Sequence, residues 1–349
     1  MSKDSMSHFV SVIVPCYNEE KFIGPCLDSI VANGYPPDQM EVMVIDGMSQ
    51  DATREIVGDY EKRYPFIRLV DNPKRILASA WNLGIRSARG DVIMALNAHG
   101  SYRPGYIASC VKHLDAYGAD YAGGIIITRP RNHALMDEAI ATVLSHPFGV
   151  GNSYFRIGLE KAAWADTAAF GGYRRGLFEK TGLFNEDLAR SQDMEFHLRL
   201  KKMGGKILLV PDMVCDYYIR SSLKEFCRDY FVNGYWVVYP LKFTRVAVSW
   251  RHLVPLAFVI SLLGTAALYP FHALFGGLFL SILGLYLAVN LYVSAGIAWA
   301  KKDLRYLLVT PMLFTILHVG YGIGSLCAGL NVLGSKLLGK KTDVAAHAR

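Results

Sequence analysis

The chain has 349 residues, of which 52% are hydrophobic and only 19% charged, with a formal net charge of +7. That length can bury a sizeable core and that balance excludes intrinsic disorder, while a mean hydropathy of +0.22 points to surface that faces lipid. The positive excess does not point to nucleic acid, because no basic run with interleaved aromatics occurs and much of the excess flanks apolar spans, where it suits an anionic membrane surface.

In chain order, polar Met1–His8 leads into an apolar run of strand length, not a signal-peptide core. Strands are predicted at Phe9–Val14, Glu41–Ile45, Ile67–Val70, Asp91–Leu96 and Tyr121–Ile127. Between them Glu19–Ala32, Asp51–Tyr64, Ile76–Ala88 and Pro104–Tyr117 carry apolar residues at helical spacing. The alternation predicts a mostly parallel sheet with helices on both faces, which binds ligands at the carboxyl ends of its strands. Tyr17-Asn18-Glu19, Asp46-Gly47, Asp71-Asn72-Pro73 and Asn97-Ala98-His99 fall at those ends. From Gly171 to Asp212 the reading is a Gly-Gly turn, a short helix and the loop Asn185–Gln192. The helix Asp193–Met203, stopped by Gly204-Gly205, and the strand Lys206–Val210 follow.

Ser222–Tyr239 is amphipathic and rich in aromatics, which suits a helix in the membrane interface and equally an ordinary packed helix. No Asp, Glu, Lys or Arg occurs from Leu253 to Ala300 or from Tyr306 to Ser335. These stretches predict spans near Leu253–Leu268, Ala273–Ala300 and Tyr306–Gly334. Arg245 and Arg251 before the first span, and Lys301, Lys302 and Arg305 after the second, place both ends of that pair in the cytoplasm. A full third crossing would put Lys336, Lys340 and Lys341 outside, against that bias, so a re-entrant or interfacial path is the alternative. The expected domains are 1–220 catalytic, 221–252 interfacial, 253–335 transmembrane and 336–349 a basic tail. The six cysteines show no metal-ligand spacing and read as reduced thiols.

An acid after a strand, as at Asp46, can accept hydrogen bonds from a base or ribose, although such residues also cap helices and turns. Val10–Glu20 and Val42–Asp51, continued by Asn72-Pro73-Lys74-Arg75, Trp81-Asn82-Leu83-Gly84, Ala88-Arg89-Gly90-Asp91 and Gly171-Gly172-Tyr173-Arg174, resemble the family 2 glycosyltransferases. More distal sequence, such as Arg220-Ser221-Ser222-Leu223 and His318-Val319-Gly320-Tyr321-Gly322, is similar to the succinoglycan-type exopolysaccharide glucosyltransferase branch.

The resemblance implies a GT-A nucleotide-sugar-binding domain with an inverting mechanism, followed by a membrane region of about three helices. It implies that Pro15, Tyr17, Glu19 and Asp46 form the uracil and ribose pocket and that Asn82 orients the nucleotide. The family's Asp-x-Asp metal motif falls on Asn97-Ala98-His99, where neutral Asn97 is a weak ligand and His99 an adequate one for Mn²⁺ or Mg²⁺. The family's catalytic acid falls on Asp193, the general base that takes the acceptor's proton, with Arg174 or Arg220 as cations for the diphosphate. The Gln-x-x-Arg-Trp motif of processive members is absent from the segment after Arg228, which favours single transfer. The implied substrates are UDP-glucose and a polyprenyl-diphosphate-linked acceptor, with membrane lipid and other assembly enzymes as partners. Transfer to polyprenyl phosphate, processive synthesis, and a non-catalytic sugar-nucleotide-binding subunit are the alternatives.

Overall fold

Val10, Val12 and Val14 lie in one buried cluster and Ile13 in another, so the first strand is covered on both faces and its sequence is apolar throughout rather than alternating. The same split places Val42 and Val44 on one side of the second strand and Met43 and Ile45 on the other. The computed structural model describes residues 8–219, 222–242 and 250–338. Its contacts divide the chain into two units, residues up to 128 with 153–218, and residues 129–152 with 219 onward.

In the first unit β1 (Val10–Cys16), α1 (Ile23–Val31), β2 (Met40–Asp46), α2 (Thr53–Arg63), β3 (Ile67–Asp71), α3 (Leu77–Ser87) and β4 (Val92–Ala95) follow the predicted alternation. β5 (Gly100–Tyr102), α4 (Tyr106–Tyr117) and β6 (Tyr121–Arg129) come next. The second unit takes α5 (Leu135–Val143) and α6 (Pro147–Val150) before the chain returns to the first. The first unit closes with α7 (Tyr154–Ile157), β7 (Ala163–Trp164), β8 (Ala169–Arg174), α8 (Leu177–Thr181), α9 (Gln192–Lys202) and β9 (Ile207–Tyr218).

The strand order is β3-β2-β1-β4-β8-β6-β9-β5, with β7 beside β9. β3, β2, β1 and β4 are parallel, whereas β8 runs antiparallel to both β4 and β6, so the sheet is mixed rather than mostly parallel. The Gly-Gly sequence is a strand and not a turn. A Cβ on Gly171 would come within 2.1 Å of the Ala122 carbonyl, so glycine is what lets β8 lie against β6 there. The strand expected at Lys206–Val210 extends to Tyr218, and β5 and β7 pair with it.

The second unit adds α10 (Leu223–Val238), α11 (Val254–Leu268), α12 (Ala273–Lys301) and α13 (Tyr306–Leu338). Three of its helices are long and apolar enough to cross a membrane, at Arg251–Phe271, Ala273–Lys301 and Tyr306–Ser335. The third is one unbroken helix with Pro311 inside it and does not turn back on itself. α10 packs closely on α13: a Cβ on Gly234 would meet the Tyr321 carbonyl at 2.0 Å, one on Gly324 the Phe231 carbonyl at 2.0 Å, and Ser325 Oγ donates to Gly234 O. Small residues that let helix backbones touch are the usual contact between helices in lipid. α13 also receives Phe148, whose ring meets Phe314 and His318 edge-on, and Tyr306 donates to Glu138. Residues 129–152 are therefore part of the helical unit.

Candidate active site

At the carboxyl edge of the sheet two loops interlock. Asn18 N–H donates to Ser49 Oγ, Glu19 N–H to Thr53 Oγ1, and Gln50 N–H to Asn18 Oδ1. Asp46 ends β2 fully buried and accepts from Ser49 N–H, Ser49 Oγ–H and Arg54, which also holds Asp71 at the end of β3. A buried carboxylate that lacked such donors would be costly. Pro15 lies within β1, paired with Ile45, two positions before the loop. Tyr17 stands outward, 46% exposed, with the Arg75 guanidinium 6.0 Å from its ring centroid. Asn18 and Met48 in these loops, Arg75 in the loop after β3, Phe170 in the wall of the cavity described below and Ser191 just before α9 have left-handed backbone. Non-glycine residues held there store strain of the kind found at binding sites.

After β4, Asn97 Oδ1 accepts from His99 N–H and so shapes its own turn. His99 Nδ1 is 2.9 Å from Glu19 Oε2, close enough for an ion pair when the imidazole is protonated, yet it is buried and out of line for a hydrogen bond. Phe22 and Tyr217 flank the ring. Among the described residues no three His, Cys, Asp or Glu side chains converge as a metal cage. The donors present fit an ion held chiefly by a substrate's diphosphate and completed by His99; they do not fit one held by protein alone.

At the same edge, beyond the end of β4, lies a cavity of about 250 Å³. α3 lines it with Leu77 and Trp81, the end of β4 with Asn97, and α9 with Gln192, Asp193 and His197. Asp193 is the second residue of α9, and the helix follows Ser191, which has φ 59° and no capping side-chain bond. Asp193 reaches solvent through the cavity, but the surrounding domain withdraws its carboxylate from bulk water and pushes its pKa up, against the pull of the Met194 and Asp193 N–H groups. One turn on, His197 is buried, bonded to Thr167 Oγ1 at 2.9 Å and Tyr173 OH at 3.0 Å, and burial lowers its pKa to about 3. It is neutral at physiological pH and does not neutralise Asp193.

The structure brings Asn97 and Asp193 to one cavity, and places Pro15 and Asp46 at the strand ends and Tyr17, Glu19 and His99 on the loops of the same sheet edge. It does not bring Arg174 there. Arg174 pairs with Val92 at the start of β4, the opposite end of the strand from Asn97, and its guanidinium caps α4 through Leu114 O, Ala119 O and Asp115. Asn82 is a staple, donating to Phe184 O and Glu186 Oε1 and accepting from Phe184 N–H, so both of its amide hydrogens are used within the fold. Arg220 lies outside the described residues, as do Arg245, Lys340 and Lys341. Sequence reasoning missed Arg54, whose only signal is its place eight residues after Asp46, and Arg156 of α7, which lines the cavity. All six cysteines are free thiols, four of them buried.

The family model for glycosyl transferase family 2 matches residues 11–182. A dolichyl N-acetyl-alpha-D-glucosaminyl phosphate 3-beta-D-2,3-diacetamido-2,3-dideoxy-beta-D-glucuronosyltransferase of Methanococcus voltae is 31% identical over 231 residues, 64% of this chain and 70% of that protein. The succinoglycan biosynthesis protein ExoA of Rhizobium meliloti is 28% identical over 260 residues, 74% of this chain and 78% of that protein. Among solved structures the mannosyltransferase PcManGT from Pyrobaculum calidifontis, in complex with GDP-Man and Mn²⁺, superposes with a TM-score of 0.62 at 22% identity. It covers 91% of this chain and 87% of its own, and shares its fold. With a GT-A-like sheet, three long apolar helices and these relatives, the chain is a glycosyltransferase and belongs to family 2.

Proposed function

We propose that this enzyme moves one sugar, with inversion, from a nucleotide sugar to a lipid-linked saccharide during extracellular polysaccharide assembly. UDP-glucose is the donor and a polyprenyl diphosphate carries the acceptor. The observation that carries the reading is Asp193 opening into the cavity that also receives Asn97 from the end of β4. The acceptor oxygen attacks the anomeric carbon opposite the diphosphate, the bond to the diphosphate breaks with its electron pair, and the hydroxyl proton passes to Asp193. A carboxylate withdrawn from bulk water is a stronger base for that transfer. The exposed ring of Tyr17 offers a stacking surface for uracil, and Pro15, Glu19 and Asp46 shape the loops beside it. When bound, a divalent ion offsets charge on the departing diphosphate, and His99 is the residue that would hold it.

The names of the dolichyl-linked and succinoglycan relatives support a lipid-linked acceptor. So do the three helices long and apolar enough to cross a membrane; in this reading they anchor the enzyme in the cytoplasmic membrane with its catalytic unit on the cytoplasmic side. The test incubates the full chain in lipid nanodiscs with a panel of nucleotide sugars and a membrane lipid extract, and identifies the lipid product by mass spectrometry. One added hexose on a polyprenyl-diphosphate saccharide is expected. A polymer, or a product on polyprenyl phosphate itself, overturns the acceptor assignment, and no product from any donor overturns the activity.

A further inference from the structure

Three residues that line the cavity each carry a buried polar atom with no hydrogen-bond partner: Trp81 Nε1, Arg156 Nη1 and Gln192 Oε1. They come from three separate elements, α3, α7 and the first turn of α9. Buried polar atoms without their bonds are costly, so native folds avoid them. Only seven such side-chain atoms occur among the described residues, and three of them belong to residues around one cavity. Arg156 is the most telling. Among the described residues no carboxylate pairs with it, Asp193 on the same cavity being beyond ion-pair distance. Against its guanidinium lies the Phe155 ring, with Cζ 5.5 Å from the centroid. A cation drawn into a cavity without a counter-ion is stable when a ligand supplies the negative charge.

We infer that Arg156 binds an oxyanion of the substrate in this cavity, with Trp81 Nε1 as an additional donor and Gln192 Oε1 accepting a hydroxyl of the same ligand. A volume of about 250 Å³ is small enough for one ring-sized group to touch several walls. The aromatic lining from Trp81, Phe170, Tyr173 and Tyr217 suits the apolar face of a sugar. The oxyanion is a phosphoryl oxygen, of the donor's diphosphate or the lipid carrier, or a carboxylate on the sugar itself. The inference rests on the reading of the cavity as the transfer site.

The test uses the full chain in nanodiscs and measures binding, not turnover. UDP, UDP-glucose and UDP-glucuronate are titrated by calorimetry, and polyprenyl phosphate in the nanodisc lipid is counted by native mass spectrometry. Arg156→Gln is expected to weaken at least one ligand tenfold or more, Arg156→Lys to recover part of the loss, and Gln192→Glu to weaken the same ligand by adding a competing carboxylate. Equal loss for all three nucleotides assigns the donor diphosphate, loss confined to UDP-glucuronate the sugar carboxylate, and loss confined to polyprenyl phosphate the lipid head group. If Arg156→Gln does not fold, Trp81→Phe keeps the ring, deletes the N–H, and is expected to cost the same ligand about threefold. Binding within twofold of wild type in every arm overturns the inference, as does a wild type that binds none of the four ligands. A chain that transfers sugar but is indifferent at Arg156 leaves the proposed function standing and removes the oxyanion site. One that binds through Arg156 and transfers nothing keeps the oxyanion site and removes the proposed function.

Discussion

The two loops after β1 and β2 and the cavity under α9 both carry residues of the kinds that bind nucleotides and sugars, yet they differ in how their polar atoms are used. In the loops, Asp46 spends its carboxylate on Ser49 and Arg54, Asn18 and Thr53 accept from the Gln50 and Glu19 N–H groups, and the ring of Tyr17 stands outward. In the cavity, Asp193 faces open space and three neighbours have unmade bonds. A saturated region holds shape and an unsaturated one awaits a partner, so chemistry-bearing residue types mark both while only bond accounting separates them.

The contrast between the two regions is tested most severely at Asp193. Asp193→Asn is expected to lower kcat by about a hundredfold or more while donor affinity changes less than about threefold, read by steady-state kinetics and by calorimetry. In the wild type the acid limb of kcat/KM should lie above the usual carboxylate range, because activity is lost as pH falls through the raised pKa of the base. Near-normal turnover in the variant would move the base elsewhere.

Asn82 tests the saturated side. Asn82→Ala leaves both backbone groups of Phe184 without their partner, and about 2–4 kcal/mol of unfolding free energy should be lost. Donor affinity measured below the transition should hold. Lost affinity with unchanged melting would make Asn82 a ligand-binding residue after all.

His197 gives a smaller, pH-dependent effect. Its folded pKa of about 3 lies below the ordinary 6.5, so its contribution is present above pH 6.5 and is lost as pH falls toward 3. By pH 5 the loss is about 2 kcal/mol. Melting temperature followed against pH should fall through this window in the wild type and fall less in His197→Gln. The smallest effect is expected at Arg174. Arg174→Gln should leave kcat/KM within about twofold, since its partners are the end of α4 and a half-exposed Asp115. A tenfold loss would return it to the donor site.

The first half of the sheet is legible in the sequence because each of its strands is an apolar run followed by a helix of the right period, and β1 to β4 form within two residues of where the pattern puts them. Residues 129–168 are not legible, since α5, α6 and α7 are short and take their order from packing on other elements. The Gly-Gly pair carries a turn signal in isolation, and only the crowding of β8 against β6 explains glycine in a strand. At the site, Asp193 is legible from its motif. Arg174 sits in an equally good motif, but whether β8 presents it to the carboxyl or the amino edge depends on strand direction, which residue types do not encode. Arg156 has no local signature, and its significance comes from lacking a partner in three dimensions.

The apolar helices differ in length: α11 has 15 residues, α12 has 29 and α13 has 33. At about 1.5 Å per residue they run roughly 22, 44 and 50 Å, against a hydrocarbon layer about 30 Å thick. Set in a bilayer, α11 is short and borrows its flanking turns, whereas α12 and α13 overshoot and must tilt or emerge. A third of α13's apolar window is buried inside the protein, against 6% for each of the other two, so α13 is the most protein-covered of the three. Hydrophobic mismatch of opposite sign within one bundle makes bilayer thickness a mechanical load on it, and lipid composition a lever on how these helices lean.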